Sequence, residues 1–320
     1  MPLTFDLSLE NLKVYEGRNP KPDDFNDYWN RGLRELHSID PDVEIVPADF
    51  ETEFADCFHL YFTGIGGARI YAKLLKPKQI TDPHPAVLMF HGYSHSSGTW
   101  FRKLGYAAQG YTVAAMDCRG QGGLSEDVGG VKGGTLHGHI IRGLDGEPED
   151  LLYRSIFLDT AQLARIIMNM PDVDQDRIGV TGDSQGGGLT LACGALEPRI
   201  KKLAPIFPFL CDYKRVWEMD LDINAYGELK EYFRRFDPLH KREQAVFEKL
   251  GYIDVQHLAD RIQGEVLMCT GLRDQICPPS TQFAAYNKIK SPKSMLIFPD
   301  YGHEELLNVE DVIFRFMLEL

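Results

Sequence analysis

The 320-residue sequence predicts an α/β fold, in which a mostly parallel, doubly wound sheet carries helices on both faces. Short, continuous apolar runs such as Pro85 to Phe90 are typical of strands that are buried on both faces. Segments with apolar residues three and four positions apart follow these runs, and this spacing is typical of helices. The alternation of the two patterns from residue 85 onward favours parallel strands joined by helices.

The elements are predicted in the following order. Pro22 and two aspartates open an amphipathic helix over 20–36. Strands over 53–63 and 68–76, with three glycines between them, form a β-hairpin. The strands of the parallel part are predicted over 85–90, 112–118, 177–181, 203–209, 266–271 and 294–299. Its helices are predicted over 156–168, 185–196, 279–290 and 306–320.

Two segments interrupt this alternation, and we expect both to be insertions into one domain of 320 residues. Residues 119–153 are rich in glycine and lack periodicity, which is typical of a functional or interface loop. Residues 212–262 are charged, aromatic and mostly helical in pattern, so they are expected to form a helical lid.

The formal net charge of −13 argues against nucleic acid or an anionic membrane as the main partner, because both attract basic surfaces. The first residues contain neither a basic region nor a long apolar run of the kind found in targeting segments. The six cysteines have no CxxC or metal-ligand spacing, which favours buried, reduced thiols. We therefore expect a cytoplasmic protein without a membrane span, metal or cofactor.

The motif that carries chemistry is Gly182-Asp183-Ser184-Gln185-Gly186, between the strand-like run RIGVT and an apolar helix. A G-x-S-x-G run at such a turn is typical of the nucleophile elbow of α/β-hydrolases, in which the serine oxygen projects above the sheet. The N-terminus of the following helix favours developing negative charge there. We therefore expect an α/β-hydrolase fold with Ser184 as the nucleophile.

A serine nucleophile needs a base, which in this fold is a histidine near the end of the chain. Three histidines follow Ser184. His240 and His257 fall in the predicted lid, where packing or surface roles are expected. His303 follows the strand-like run SMLIFP through a short turn and precedes the last helix, so it is the expected general base.

The base in turn needs an acid that holds its tautomer. Asp274 follows the run EVLMCTG, one strand and helix before His303, and is the preferred candidate. Asp300 is the main rival, although its sequence context is that of a turn residue. Asp183 is next to the serine and is expected to influence the pocket, with its side chain directed away from the imidazole.

The oxyanion hole is expected to use two backbone N–H groups, one from Gln185 and one from the loop after the run PAVLMF. In that loop Tyr93 is the expected donor, and His91 is expected to shape the loop rather than to act in catalysis. The run His137-Gly138-His139 has no third ligand nearby in the sequence, so we do not expect a metal site there.

Four motifs, in order and spread over most of the chain, resemble those of the acetyl xylan esterase and cephalosporin C deacetylase family, the seventh carbohydrate esterase family. They are Arg119-Gly120-Gln121, the elbow Gly182 to Gly186, Leu272-Arg273-Asp274, and His303-Glu304.

This resemblance implies hydrolysis of O-acetyl groups on small substrates such as acetylated xylo-oligosaccharides, other acetylated sugars and cephalosporin C. It also implies a ring-shaped homo-hexamer in which the glycine-rich segment contributes to subunit contacts. Arg119, Gln121 and Glu304 are expected to support the catalytic groups, and Trp100 and Tyr226 are candidate walls of the substrate pocket. The sequence departs from the family as we picture it at Gly122-Gly123, Asp183 and Ala225, so the acyl preference stays open.

Other functions are compatible with the same three side chains. A peptidase of the prolyl oligopeptidase type would need a propeller domain, for which 320 residues leave no room. A broad short-chain carboxylesterase stays possible. A non-catalytic binding protein of this fold normally lacks one of the three groups, and all are present here.

Overall fold

The computed structural model describes residues 6–78, 80, 82–128, 134–221 and 223–320. Residues 129–133 of the glycine-rich segment and residue 222 of the predicted lid therefore lie outside the described residues. The strands are β1 (Glu44–Pro47), β2 (Ala55–Thr63), β3 (Arg69–Pro77), β4 (His84–Phe90), β5 (Thr112–Met116), β6 (Val173–Asp183), β7 (Lys202–Ile206), β8 (Glu265–Gly271) and β9 (Lys293–Phe298).

Within the described ranges these nine strands form one sheet in the order β1-β2-β3-β5-β4-β6-β7-β8-β9. Strands β1, β2, β3 and β5 pair antiparallel with one another in turn. From β5 to β9 every neighbouring pair is parallel. The predicted hairpin and the predicted parallel sheet are both confirmed, and the carboxyl ends of six parallel strands meet at one edge.

The helices are α1 (Leu9–Leu12), α2 (Phe25–Ser38), α3 (Leu104–Ala108), α4 (Leu152–Met168), α5 (Gln185–Leu196), α6 (Tyr213–Glu218), α7 (Gly227–Phe236), α8 (Glu243–Leu250), α9 (Pro279–Lys288) and α10 (Val309–Met317). Alternate sheet residues pack into two hydrophobic clusters, one on each face. Helices α2, α4 and α5 contribute to the first cluster, and α3 and α10 contribute to the second. The sheet is therefore covered on both faces, as the apolar runs predict.

Several element boundaries differ from the expectation, and for two of them the backbone gives the physical reason. The strand predicted over 203–209 ends at Ile206, because Phe207 turns the backbone to a φ of 30°. The helix predicted over 306–320 begins at Val309, after Asn308 in a left-handed conformation. The short helix α3 was not predicted, because five residues give too little periodicity to detect.

The two segments predicted to be insertions both contribute buried residues to the first hydrophobic cluster. The described part of 212–262 contains α6, α7 and α8 and no strand. The described part of 119–153 is mostly turns, but it is packed onto the loop after β4 through backbone contacts such as Gly122 N–H to the His95 carbonyl, at 3.1 Å. Across the described residues, no helix has the length and apolar character needed to cross a membrane.

Candidate active site

Ser184 stands at a strained turn between β6 and α5, with a φ of 54° and a ψ of −115°. A Cβ on Gly186 would lie 2.1 Å from the carbonyl oxygen of Phe90 at the end of β4, so glycine is required there. The serine backbone is fixed on its other side by β7 and the residues after it. Its N–H donates to the Ile206 carbonyl at 3.0 Å, and its carbonyl accepts from Phe209 N–H at 2.9 Å.

The structure brings Ser184, His303 and Asp274 together in one hydrogen-bonded row. The distance from Ser184 Oγ to His303 Nε2 is 3.0 Å, and that from His303 Nδ1 to Asp274 Oδ2 is 2.8 Å. Because a carboxylate can only accept, Nδ1 carries the proton, and Nε2 is free to accept from the serine hydroxyl. This arrangement allows the imidazole to take the serine proton.

The Asp274 side chain is held in place by backbone donors from its own turn. Its Oδ1 accepts from Ile276 N–H at 2.9 Å and from Cys277 N–H at 2.8 Å, and its side chain is fully buried. The rival Asp300 is an exposed residue of the turn after β9, and the hydrogen-bond partners of the His303 ring are Asp274 and Ser184. Of the two acids, the geometry therefore favours Asp274.

The two backbone N–H groups expected to form an oxyanion hole belong to Tyr93 and Gln185. Neither donates to another group among the described residues, so both are available to a ligand oxygen. Gln185 is the first residue of α5, and Tyr93 lies in the turn after β4. A helix N-terminus and a free loop N–H together provide donors for a negatively charged oxygen.

The Gln185 and Gln121 side chains join the elbow to the loop after β4. Their amides bond reciprocally at 2.9 and 3.1 Å, and Gln121 Oε1 also accepts from Ser94 N–H at 2.9 Å. Tyr153 of α4 donates its hydroxyl to Gln185 Oε1 at 2.7 Å. The predicted support by Gln121 thus has a definite geometry, whereas Tyr153 was missed because its contact is 32 residues distant and follows no motif.

His91 is a structural residue of the same loop. Its Nδ1 donates to the Gly92 carbonyl at 2.7 Å, and its Nε2 accepts from Cys118 N–H at 2.9 Å. Burial lowers the pKa of His91, which keeps the imidazole neutral in this tautomer. The expectation that His91 shapes the loop agrees with both contacts.

Arg119 and Glu304 each fix a segment of the chain that carries residues of the site. The buried Arg119 guanidinium makes a bidentate ion pair with Asp159 of α4, with both distances at 2.7 Å, and so anchors the start of the glycine-rich segment. Glu304 accepts from Gly302 N–H at 3.0 Å and stabilises the turn that carries His303.

A cavity of about 850 Å³ opens over Ser184 and His303. Trp100 and Tyr226 do not line it, so the expectation that they form its walls is wrong. Trp100 instead stacks on Phe50, with ring centroids 6.1 Å apart. Tyr226 is fully buried behind the wall, against Phe209, whose ring does line the cavity.

His137 and His139 separate in the structure rather than forming a pair of ligands. His137 lines the cavity, whereas His139 is buried 5.0 Å from the Tyr93 ring, and burial lowers its pKa to about 4. In the described part of the chain, one group offers three potential ligand atoms within 4.8 Å, namely Asp274, Cys277 and His303. Asp274 and His303 are hydrogen-bonded to each other, as a Ser-His-Asp arrangement requires.

Phe207 is a site residue that the sequence analysis missed. Its ring lies 4.6 Å from the His303 imidazole, centroid to centroid, at an angle of 54°. The left-handed φ of 30° at Phe207 directs the chain away from the sheet at this position. An apolar residue at the end of a predicted strand gives no signal for such a contact.

Comparison with known proteins gives a consistent result. A family model described as acetyl xylan esterase (AXE1) matches residues 1–320. The structure of acetyl xylan esterase 1 from Thermoanaerobacterium sp. JW/SL YS485 is similar, with 60% identity, a TM-score of 0.96, and coverage of 98% of this chain and 99% of that one. The acetyl xylan esterase from Paenibacillus sp. R4 follows, with 33% identity, a TM-score of 0.92 and the same coverage.

A curated relative is longer than this chain. Acetyl esterase Axe7A of Xylanibacter ruminicola is 28% identical over 303 residues, which are 93% of this chain and 66% of the relative. The full-length match to the family model and the two similar structures are sufficient for assignment. The chain belongs to the acetyl xylan esterase family and is a carboxylic ester hydrolase with the α/β-hydrolase fold.

Proposed function

From membership of the acetyl xylan esterase family, we propose that this protein is a serine esterase that removes O-acetyl groups from small substrates through an acetyl-enzyme on Ser184. The substrate class comprises acetylated xylo-oligosaccharides, other acetylated sugars and cephalosporin C. The observation that carries the proposal is the hydrogen-bonded row of Ser184, His303 and Asp274 beneath an open cavity.

In the first step, Ser184 Oγ attacks the acetyl carbonyl carbon while His303 Nε2 takes the hydroxyl proton. The 3.0 Å distance between these atoms allows direct transfer. Asp274 holds Nδ1–H and stabilises the imidazolium as it forms. The ester C–O bond then breaks, and His303 returns the proton to the departing sugar oxygen.

The charge that develops on the carbonyl oxygen is accepted by the N–H groups of Tyr93 and Gln185. Each such donor contributes about 3 kcal/mol to stabilisation of the transition state. Because neither N–H has a partner among the described residues, no hydrogen bond must be broken before the oxyanion binds. Gln121 supports both donors, since it bonds to the Gln185 side chain and to Ser94 N–H.

In the second step, water takes the position left by the alcohol. His303 removes a proton from this water, whose oxygen attacks the acetyl-enzyme carbonyl, and acetate leaves as Ser184 regains its proton. No cofactor or metal is required by this cycle, because the three side chains and two backbone donors supply every proton transfer and charge.

An acetate-release assay tests the substrate class. Acetylated xylo-oligosaccharides, acetylated monosaccharides and cephalosporin C are compared with 4-nitrophenyl acetate and 4-nitrophenyl octanoate. We expect release from the acetate esters and a steep fall with the longer acyl chain. Equal rates on acetate and octanoate would indicate a broad carboxylesterase instead. Cleavage of aminoacyl-proline chromogenic peptides without acetate release would indicate a peptidase.

We further propose one domain with two insertions, at 119–153 and 212–262, assembled as a homo-hexamer. Large apolar side chains exposed on or near these segments support an interface, including Leu136, Phe236 and Leu239, which are 64%, 57% and 72% exposed. Light scattering tests it, because a monodisperse particle of 36.2 kDa would contradict assembly.

A cytoplasmic location is part of the same proposal. It is supported by six cysteines that are all buried and unpaired, as is typical of a reducing compartment. Fractionation of the producing cells tests it, with activity expected in the cytosol. Recovery of the activity from the medium or the cell envelope would contradict the location.

A further inference from the structure

Asp183, the residue directly before Ser184, is an exposed carboxylate on the wall of the cavity. Its side chain makes no hydrogen bond or ion pair with any described residue. Because it is covalently adjacent to the nucleophile, its charge lies within about 8 Å of the serine oxygen. The cycle proposed above does not use it.

The carboxylate is placed beside the oxyanion loop. A Cβ built on Gly92 would lie 3.7 Å from Asp183 Oδ2 and 3.8 Å from His95 Cδ2. Asp183 and His95 thus flank the residue that precedes Tyr93, one of the two proposed oxyanion donors. His95 is also exposed, and its ring has no partner among the described residues. A bound ester therefore meets two uncommitted polar side chains next to its carbonyl.

The cationic residues that line the same cavity are Arg102 and Lys103, at the other end of the segment after β4. Lys103 is buried and donates to the carbonyls of Ser97 and Thr99. Neither cation forms an ion pair with Asp183. Among the described residues, no cation therefore offsets the Asp183 carboxylate through a direct ion pair.

Resting on the proposed deacetylase function, we propose that Asp183 is a specificity-determining residue. It selects uncharged, hydroxyl-bearing acetate esters and disfavours esters that carry a carboxylate close to the leaving oxygen. A sugar acetate has hydroxyls on the neighbouring carbons, and a carboxylate accepts strong, charge-assisted hydrogen bonds from such groups. A ligand carboxylate at the same place is repelled, and added salt weakens this repulsion because Asp183 is exposed.

A charge-based preference at Asp183 predicts which substrates of the deacetylase are hydrolysed more efficiently. Cephalosporin C has a carboxylate close to its acetoxymethyl group, whereas acetylated xylo-oligosaccharides without acidic substituents are neutral. We therefore expect kcat/KM to be higher for the neutral sugars. Removal of the Asp183 charge is expected to reduce the ratio of the two kcat/KM values by about five- to tenfold. This is the effect of one unit charge at this separation in a medium of intermediate dielectric constant.

The test compares methyl 3-acetoxybenzoate with 3-acetoxybenzoate, two acetate esters that differ by one carboxylate charge on the leaving group. We expect the anionic-to-neutral ratio of kcat/KM to rise about five- to tenfold in Asp183→Asn. Added KCl should raise the ratio in the unmodified enzyme and have less effect in the variant. A charge-conserving variant, Asp183→Glu, is expected to keep the low ratio.

Glu305→Gln is the matched control, because Glu305 is an exposed carboxylate near His303 in the sequence but does not line the cavity. The anionic-to-neutral ratio of kcat/KM in Glu305→Gln should equal that of the unmodified enzyme. A ratio unchanged by Asp183→Asn, or changed equally by Glu305→Gln, would overturn the proposal.

The two proposals fail in different ways. If the unmodified enzyme releases no acetate from the neutral ester or from acetylated xylo-oligosaccharides, the deacetylase function is wrong. If it releases acetate from both but Asp183→Asn leaves the anionic-to-neutral ratio unchanged, only the role of Asp183 is wrong.

Discussion

The two halves of the candidate site are held in different ways. Ser184, Asp274 and His303 follow the parallel strands β6, β8 and β9, and mostly backbone contacts fix their turns. The oxyanion loop after β4 is fixed by side chains from distant segments, above all Gln121 and the Gln185 amide to which it bonds. Loss of a triad group should therefore remove chemistry, whereas loss of a loop support should loosen geometry.

The largest expected effect follows from removal of the nucleophile. Ser184→Ala should lower kcat by about 10⁵- to 10⁶-fold without loss of stability, because the helix N-terminus and the oxyanion donors remain. Acetate release from 4-nitrophenyl acetate and a thermal unfolding scan measure the two quantities. A variant that keeps more than one hundredth of the activity would show that another group attacks the ester.

Asp274→Asn tests the orienting role and should cost about 10⁴-fold in kcat. An amide can donate to His303 Nδ1, which would stabilise the tautomer that cannot accept from Ser184. The matched control is Asp300→Asn at the exposed turn residue, which should retain the activity. If the Asp300 variant showed the larger loss, the assignment of the acid would be reversed.

Gln121→Leu tests the other half of the site and should have a smaller effect. The change removes the bond to Ser94 N–H and leaves Gln185 without its amide partner, so we expect kcat to fall about 10- to 100-fold. A fluorophosphonate probe should still label Ser184, because the triad is intact. Loss of labelling together with activity would show that the two halves are not independent.

The glycine-rich segment contacts helix α7 at Glu228, and the smallest effect is expected from a change there. Glu228 of α7 accepts from Ile140 N–H at 2.8 Å and from Ile141 N–H at 3.3 Å, while its other oxygen has no partner among the described residues. Burial is the main cause that raises the pKa of Glu228 to about 7. The carboxyl is thus neutral in the folded protein at lower pH and must ionise in a buried site at higher pH.

The pKa of Glu228 is higher in the folded state than in the unfolded chain. The free energy of unfolding is therefore highest below the pKa of Glu228 in the unfolded chain, and it falls as pH rises towards about 7. Glu228→Gln keeps the neutral form at every pH. Its melting temperature relative to the unmodified protein should therefore rise between pH 5 and pH 8, by an amount equivalent to about 2 to 3 kcal/mol. A difference in melting temperature between the variant and the unmodified protein that is constant with pH would contradict the raised pKa of Glu228.

The triad half could be predicted from the sequence because its signals are local. The elbow is a contiguous motif, and His303 and Asp274 follow apolar runs that are recognisable as buried strands. The oxyanion half could be predicted only in outline. Tyr153 and Phe207 act through contacts between distant elements, and no spacing rule identifies such partners.

Two details show where sequence reasoning is limited. Trp100 was expected in the pocket, but it stacks on Phe50, which precedes it by about fifty residues, and this choice of partner depends on the fold. The glycines of 119–153 were expected to belong to a functional or interface loop, but the sequence gives no packing role for any one of them. In the structure a Cβ on Gly122 would lie 2.5 Å from the Ser94 carbonyl oxygen, so that glycine permits close packing against the oxyanion loop.

The central claim is that acetyl transfer passes through Ser184. Rapid quenching of the enzyme during turnover of 4-nitrophenyl acetate, followed by peptide mass mapping, tests it most directly. We expect a burst of about one 4-nitrophenol per active site and an acetyl group on the peptide that contains Ser184. Steady turnover with no acetyl group on that peptide, or with the acetyl group on another residue, would contradict the account.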